Sequence, residues 1–323
     1  VTQQPCVSVI VVSYNTREMT LDCLRALYAE LVDLPAEVFV VDNASTDGSA
    51  EAVRAAFPDV VVIANAQNRG FGAANNQVME RARGEFLLLL NSDAFLKPGA
   101  IGALFAVMRR HPDAAVVGPR LLNGDGSLQL SCYRFPSPER AWVENLWLSA
   151  ALPRHPRLGD YRRWAHDAER EVDWVIGACM LVRRAAFEQV GGFDERFHMY
   201  AEETDWQKRM RSIGWRIRFT PAARVTHLGG ASGAAEKARI SRSFFDSLDY
   251  YELKHHGRAG LISLRLAMAV GCGLRAVAWA LVLALSPRRR AVARAKAALQ
   301  SWLFVRQLTH WRLPAHHVSG AQV

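Results

Sequence analysis

Five short stretches of this chain bring together side chains that could do chemistry: Ser13-Tyr14-Asn15, Asp42-Asn43, Asn91-Ser92-Asp93, Glu202-Glu203-Thr204-Asp205 and His227. Asp42 closes an apolar run, ahead of a turn whose Ser45 or Asp47 suits a helix cap and whose Gly48 eases the bend. Capping therefore leaves Asp42 unexplained, and a carboxylate there can accept a hydrogen bond from a base N–H such as the imide of uracil or thymine. Asp93 follows the apolar run Phe86-Leu87-Leu88-Leu89-Leu90. One carboxylate reaching solvent at such a point can hold a divalent cation whose other ligands are phosphate oxygens and water. Its plainer role is a cap before Pro98-Gly99. Glu202, Glu203 and Asp205 crowd three acids into four positions. The helix dipole accounts for one or two of them, and like charges that close raise at least one pKa, as a general base requires. His227 is a candidate metal ligand or a structural histidine.

Hydrophobic period places these clusters. Residues 7–13, 37–42, 60–64 and 85–90 read as strands, and 17–31, 49–57 and 72–83 as helices, with Leu21, Leu24 and Leu27 on one face of the first. Strands separated by helices imply right-handed crossovers and an α/β fold with a mostly parallel sheet, whose ligands bind at the carboxyl ends of the strands. The first three polar clusters stand at those ends. The turn after strand one contains no glycine, so a dinucleotide G-x-G-x-x-G is absent there, and Gly70 and Gly72 come too late to supply it. No G-K-[ST] occurs, which removes the P-loop class as well. Residues 128–171, with Pro136, Pro138, Pro153 and Pro156, read as a long irregular excursion. A strand-like segment at 172–182 follows, then a helix at 184–190, the Gly191-Gly192 turn, a helix at 202–213 and one or two strands at 216–226.

Half of the 323 residues are apolar and 22% are charged, which excludes a disordered chain, a collagen-like fibre or a disulfide scaffold. The five cysteines, at 6, 23, 132, 179 and 272, form no C-x-x-C pair, and their odd number suits reduced thiols in the cytosol. Val9-Ile10-Val11-Val12 is too short, and lacks the basic flank, for a secretory leader. The net charge of +9 is uneven: from Lys237 onward 14 Lys and Arg face 3 acids, whereas residues 1–236 balance at −2. An anionic surface is the expected partner of that basic quarter. Within it, residues 259–285 are strongly apolar but interrupted by Arg265 and Arg275, and the uncharged window 276–285 is half of the ~20 residues a spanning helix needs. Arg288-Arg289-Arg290 and a second amphipathic stretch at 291–308 follow, with Trp279, Trp302 and Trp311 placed as interface anchors. Three arrangements fit: a helix pair on an anionic membrane, a hairpin packed on the rest of the chain or on a second subunit, and a membrane-crossing hairpin. No nucleic-acid reader motif accompanies the charge.

Taken in order, the motifs resemble the family 2 inverting glycosyltransferases of the GT-A fold, and within them the bacterial rhamnosyltransferase-like branch. The matching pieces are Val9–Asn15, Val41–Ser49 (VDNASTDGS), Asn68–Asn75 (NRGFGAAN), Leu90-Asn91-Ser92-Asp93, Asp173–Cys179 (DWVIGAC), Gly191–Glu195 (GGFDE), the 202–205 acids and His227. They span residues 7–230. The resemblance implies a GT-A domain over 1–235, with a nucleotide-binding half at 1–120 and an acceptor half at 121–235. A basic helical extension over 236–313 and a tail at 314–323 complete the expected organisation.

It also implies a nucleotide-diphosphate-sugar donor, dTDP- or UDP-linked. By position, Ser13, Tyr14 and Asp42 frame the base, Asn68, Gly70 and Asn75 line the cleft, Asn91 lies near the ribose, and Asn15 and Ser92 belong to the same nucleotide-binding set. Asp93 matches the metal-binding residue of the family's Asp-x-Asp motif, and Asn91 departs from it at the first position. Mg²⁺ or Mn²⁺ held by Asp93 and His227 would bridge the phosphates of the leaving group. Glu203 stands at the catalytic-base position, with Glu202 the alternative on the same turn, and Asp205 orients an acceptor group or caps backbone amides. Trp174, Gly177 and Ala178 match the segment under the bound sugars, and residues 128–171 would wall the acceptor. The expected acceptor is a saccharide or polyprenyl-linked saccharide at the inner face of the cell membrane. The basic helices would contribute about 1 kcal/mol per cation near an anionic leaflet, and a homodimer is the other use of the same surface. A sugar-nucleotide nucleotidyltransferase and a non-catalytic relative are the competing readings. The first normally needs a glycine-rich basic loop after strand one, which Ser13-Tyr14-Asn15 does not provide.

Overall fold

The computed structural model describes residues 4–197, 199–229 and 237–309. Gly230, Trp311 and the expected tail at 314–323 lie outside them. The chain forms two compact units, divided at Phe135/Pro136, Arg163/Trp164 and Ser247/Leu248. Residues 136–163 and 248 onward make the second unit; all else is the first. The division differs from the expected single boundary at 235, since 136–163 belong with the C-terminal helices.

The first unit opens with β1 (Val7–Ser13), α1 (Arg17–Glu30), β2 (Ala36–Asp42), α2 (Ser49–Ala56), β3 (Val61–Ala64), α3 (Phe71–Met79) and β4 (Phe86–Asn91). These agree with the period, except that α3 stops four residues early. The chain must turn there to enter the sheet, and Gly84 passes so close to β1 that a Cβ would meet the Ser8 nitrogen at 2.5 Å. Next come β5 (Ala94–Leu96), α4 (Ala100–Arg110), β6 (Ala114–Leu122), β7 (Leu128–Gln129) and β8 (Cys132–Tyr133). The second unit contributes α5 (Pro138–Asn145) and α6 (Leu148–Ala151), after which β9 (Arg170–Val172), β10 (Trp174–Val175), β11 (Cys179–Arg183), α7 (Arg184–Val190), α8 (Glu202–Ser212) and β12 (Arg216–His227) complete the first. The helices α9 (Lys237–Leu285) and α10 (Arg290–Thr309) close the described chain.

Ten strands form one sheet, whose main path runs β3-β2-β1-β4-β11-β6-β12-β5. The β3-β2-β1-β4 half is parallel, because helical crossovers return each strand to the same edge. β11 is antiparallel to both β4 and β6, whereas β12 runs parallel to β6 and antiparallel to β5. The Leu-rich β4 is covered on both faces, as a central strand must be, and Leu87, Leu88 and Leu89 are fully buried. The segment expected as one strand at 172–182 is three. Asp173 and the 176–178 bend separate pairings to β12, to β8 and to β4.

Register assembles the polar clusters. Ser13 lies opposite Asp42, and Val12 opposite Asn91, so three strand ends share one edge. Cys179 pairs with Leu90, which brings 177–178 to that edge from the other direction. His227 pairs with Ala94, which seats it beside Asp93.

From Leu248 on, within the second unit, α9 is a folded-back pair rather than one rod. Asp249 and Arg265 would stand about 24 Å apart along a straight helix. Their side chains instead meet at 2.7 Å, because Gly257 leaves the helical region at φ 67°, ψ −169° and reverses the chain. Ala141 of α5 packs with Leu264 and Ala267 of α9. The Pro-rich excursion is thus ordered. Ser137 caps α5 with Pro138 in the first turn, and Arg140 joins Glu144 to Asp160.

Candidate active site

Asp42 is buried at the end of β2. One carboxylate oxygen accepts from the Ser45 N–H at 3.1 Å, and the other, also buried, has no partner among the described residues. Such an acceptor costs free energy unless a donor arrives. Beside it, Asn43 donates to Asn68 Oδ1 at 2.9 Å and to the Gly70 carbonyl, and accepts from the Arg69 N–H and Asn65 Nδ2. Asn43 therefore moulds the 65–70 loop. Gly70, at φ 81° and ψ 171°, adopts a backbone that only glycine reaches readily and launches α3 from it. Asn75 is buried in α3, and its side-chain oxygen has no partner among the described residues.

The opposite end of the edge carries Asn91, Asp93 and His227. His227 Nε2 faces Asp93 Oδ1 at 3.3 Å and accepts from Asn91 Nδ2 at 3.4 Å. Its other nitrogen lies 2.6 Å from Gln129 Oε1. The orientation of that amide is set by its NH₂ group, which donates to the His227 carbonyl and to Asn123 Oδ1. Gln129 thus holds the ring through Nδ1 and leaves Nε2 facing a carboxylate oxygen. A carboxylate oxygen and an imidazole nitrogen that face each other can share a divalent cation, and an imidazole oriented through its far nitrogen is the usual metal-ligand arrangement. Asp93 and His227 thus fit a divalent ion that takes its remaining ligands elsewhere. Among the described residues no cluster of three or more His, Cys, Asp or Glu side chains could hold one alone.

The third component is the first turn of α8. Tyr200 and Ala201 precede it in left-handed backbone, at φ 68° and 64°. Such geometry costs non-glycine residues about 1–3 kcal/mol each and concentrates at functional sites. Burial drives the Glu202 carboxyl well above the ordinary glutamate range, and the neighbouring Glu203 charge adds to it. Burial raises Glu203 too, but the N–H groups of Glu203 itself, Gly177 and Thr204 favour its ionised form. The Gly177 and Thr204 N–H groups thus distinguish Glu203 from Glu202. Each has one buried carboxylate oxygen with no hydrogen-bond partner among the described residues.

Contacts join these parts into one constellation. The Gly177 N–H supports Glu203, while the next residue, Ala178, accepts from the Asn91 N–H at 2.9 Å. Phe71, the first residue of α3, lies against Gly177, where a Cβ would meet the ring at 3.3 Å. A Cβ on Gly72 would stand 3.8 Å from that of Glu202. Asn76 grips Phe193 by both backbone groups, at 2.8 and 2.9 Å. The turn it holds also receives Trp206 Nε1 and Arg209, which secures α8.

Several expected roles shift. Ser13 and Ser92 do not present hydroxyls to the cleft: Ser13, Thr16, Thr20 and Ser92 bond to one another in a buried cluster at 2.9–3.2 Å. Asn68 Oδ1 is taken by Asn43 and the Gly70 N–H, so Asn68 shapes the loop from within. Asn15 is exposed and accepts from the Thr46 N–H, and Tyr14 is half-buried. Asp205 is fully buried against Arg209 at 2.9 Å, inside the scaffold rather than on an acceptor-facing surface. Trp174 stacks on Tyr133 and donates to the Arg134 carbonyl. Gln129 and Asn76 were missed, and Asn43 was named only as the neighbour of Asp42. Asn43 adjoins Asp42 and was legible by type, whereas Gln129 lies 98 positions from His227 and carried no spacing signal.

The family model described as glycosyl transferase family 2 matches residues 8–191, and that of glycosyl transferase family 21 matches residues 162–309. The N-acetylglucosaminyl-diphospho-decaprenol L-rhamnosyltransferase of Mycobacterium tuberculosis is 36% identical over 205 residues, 60% of this chain and 66% of that protein. The chain thus spans just under two thirds of that relative's length. Among solved structures, mannosyltransferase PcManGT from Pyrobaculum calidifontis, in complex with GDP-Man and Mn²⁺, superposes with a TM-score of 0.59 at 21% identity. It covers 96% of this chain and 89% of that one. GalNAc-T7 with UDP, GalNAc and Mn²⁺ gives 0.53 at 16% identity, over 80% of this chain and 52% of that one. The two superpositions show a GT-A type of fold.

Proposed function

The chain belongs to glycosyl transferase family 2, and from that premise we propose that it is an inverting, metal-dependent glycosyltransferase. It moves a hexose, rhamnose in the first instance, from a dTDP- or UDP-linked donor to a saccharide or polyprenyl-linked saccharide at the inner face of the cell membrane. The observation that carries this reading is the continuous set of contacts from Glu203 through Gly177-Ala178 and Asn91 to His227 and Asp93. The identity to a rhamnosyltransferase that acts on a decaprenol-linked sugar, and the Mn²⁺ in two structures of like fold, point the same way.

Breaking the bond from the sugar to the diphosphate leaves negative charge on the departing oxygens. Asp93 and His227 would hold Mg²⁺ or Mn²⁺, whose chemistry when bound is to neutralise that charge. Asn91, in place of a second carboxylate, donates to His227 and keeps the imidazole aimed at Asp93. The unpartnered Asp42 oxygen accepts from the base N–H, and Asn43 holds the loop that lines the nucleotide. Glu203 takes the proton of the attacking hydroxyl, assistance worth roughly 10²–10⁴ in rate.

The test is calorimetric titration of the protein with UDP, dTDP and GDP, each with Mn²⁺ and with EDTA. Metal-dependent binding of a uracil or thymine nucleotide is the expected result. Binding that ignores the metal would remove the role given to Asp93 and His227, and no nucleotide binding would leave a non-catalytic relative.

A further inference from the structure

The second unit carries an apolar face that the first unit's chemistry does not use. On the second arm of α9, Leu266, Val270, Leu274, Val277, Leu281 and Leu285 are all exposed, between 39% and 80%. Their spacing of three or four residues draws one stripe about 28 Å long. The other side of the same arm, with Leu261, Leu264, Ala267 and Cys272, is buried. A helix apolar on both its buried and its exposed sides is not designed to face water. Trp147, Leu148 and Leu152 of the α6 region and Trp302 of α10, all in the same unit, are also exposed.

Charge identifies the occupant. From residue 253 to the end the chain has eleven Lys and Arg and no Asp or Glu. Arg288, Arg289, Arg290, Arg294 and Lys296 are exposed directly after the stripe. Two copies meeting through this region would bring like charges together, whereas anionic lipid headgroups complement them. We propose that the second unit is an interfacial membrane anchor: the α9 stripe lies in the plane of an anionic lipid bilayer, and the 288–296 cations bind its headgroups.

The helix is long and apolar enough to cross a membrane, but its other contacts keep it at the surface. Ser263 accepts from Trp142 Nε1, and Arg275 donates to Asn145 and Gln300. Those partners sit on α5 and α10, and α5 also carries the Arg140–Glu144–Asp160 ion network. A spanning helix would take these groups into hydrocarbon, where charge is costly. The proposal gives residues to the membrane-facing part of the preceding reading, and it does not depend on the chemistry assigned to the first unit.

Flotation of the full chain with vesicles tests it. Binding to phosphatidylcholine containing about 30% phosphatidylglycerol is expected to exceed binding to phosphatidylcholine alone by at least about tenfold, and to fall as salt rises. Replacing Val270, Leu274 and Leu281 together by Gln, at exposed positions the core does not need, should lower binding about tenfold on both lipids. Replacing Arg288, Arg289 and Arg290 by Gln should lower it on anionic vesicles only. Failure to float would overturn the proposal, as would resistance to alkaline carbonate extraction, which marks a spanning helix. A dimer in sedimentation velocity that the Gln variant dissolves would also overturn it and assign the stripe to a second copy. Donor hydrolysis without vesicles should be unchanged in both variants. Its absence in the unmodified chain would count against glycosyl transfer and leave the anchor standing.

Discussion

Replacing Glu203 by Gln removes a proton acceptor while keeping size and shape, and so tests the division of labour in the acid pair. Both carboxyls are pushed up by burial, but only Glu203 has the Gly177 and Thr204 N–H groups to favour its ionised form. Glu203 should therefore be the base and Glu202 the protonated neighbour. Losing general-base assistance lowers kcat by roughly 10²–10⁴, or about 3–5 kcal/mol of barrier. Donor affinity should change less than about threefold, since the donor site rests on other residues. Gln is nearly isosteric with a protonated glutamic acid, so Glu202→Gln should keep kcat within about threefold of the parent. The sign of the pH dependence follows from the raised Glu203 pKa. The ionised form is the active one, so kcat falls as pH drops through a value above the ordinary glutamate range. The assay is nucleoside diphosphate release at saturating donor, from pH 5 to 9, with donor binding followed by calorimetry. A Glu202→Gln enzyme that loses a hundredfold while Glu203→Gln stays within tenfold would reverse the assignment. An acid limb at the ordinary carboxylate value would refute the burial argument.

Other consequences are as direct. Gln129→Ala should free the His227 ring and weaken Mn²⁺ binding about 10–100-fold, measured by metal titration, with nucleotide affinity in EDTA unchanged. Asp42→Asn should weaken the preferred nucleotide by about 1.5–3 kcal/mol, because an amide can turn a donor towards the base N–H; calorimetry would show equal affinity if Asp42 does not touch the base. Glu202→Gln should gain stability over the parent as pH rises. The folded carboxyl holds its proton to higher pH than the unfolded one, so the parent loses stability between the ordinary glutamate pKa and the raised one, and urea midpoints at pH 5 and 9 would show the divergence. Gly192→Ala should cost about 1–3 kcal/mol in urea unfolding, since its Cβ would strike Asn76, whose side chain is pinned to the Phe193 backbone.

Much of this protein is legible along the chain, because local rules act locally. Alternating apolar runs and helical periods fixed β1 through β4, and strand-end residues such as Asp42 and Asp93 announced themselves by following runs that had to be buried. The 202–205 acids were visible as a crowd of like charges, and the asymmetry of the basic C-terminal quarter was plain from counting. Tertiary structure decided what depends on residues far apart in sequence. The pairing of β12 with β5 seated His227 at Asp93, and Gln129 then oriented its ring from 98 positions away. Burial separated Glu202 from Glu203, since desolvation and the Gly177 N–H are properties of a packed environment and not of two adjacent glutamates. Folding also withdrew Ser13, Ser92 and Asp205 from the reacting side, because a buried hydroxyl or carboxylate must find its partners in the interior. The same necessity reversed the chain at Gly257 and left the stripe from Leu266 to Leu285 facing outwards. Hydrophobicity alone marks such a stretch as apolar, but only packing shows which of its sides is already covered.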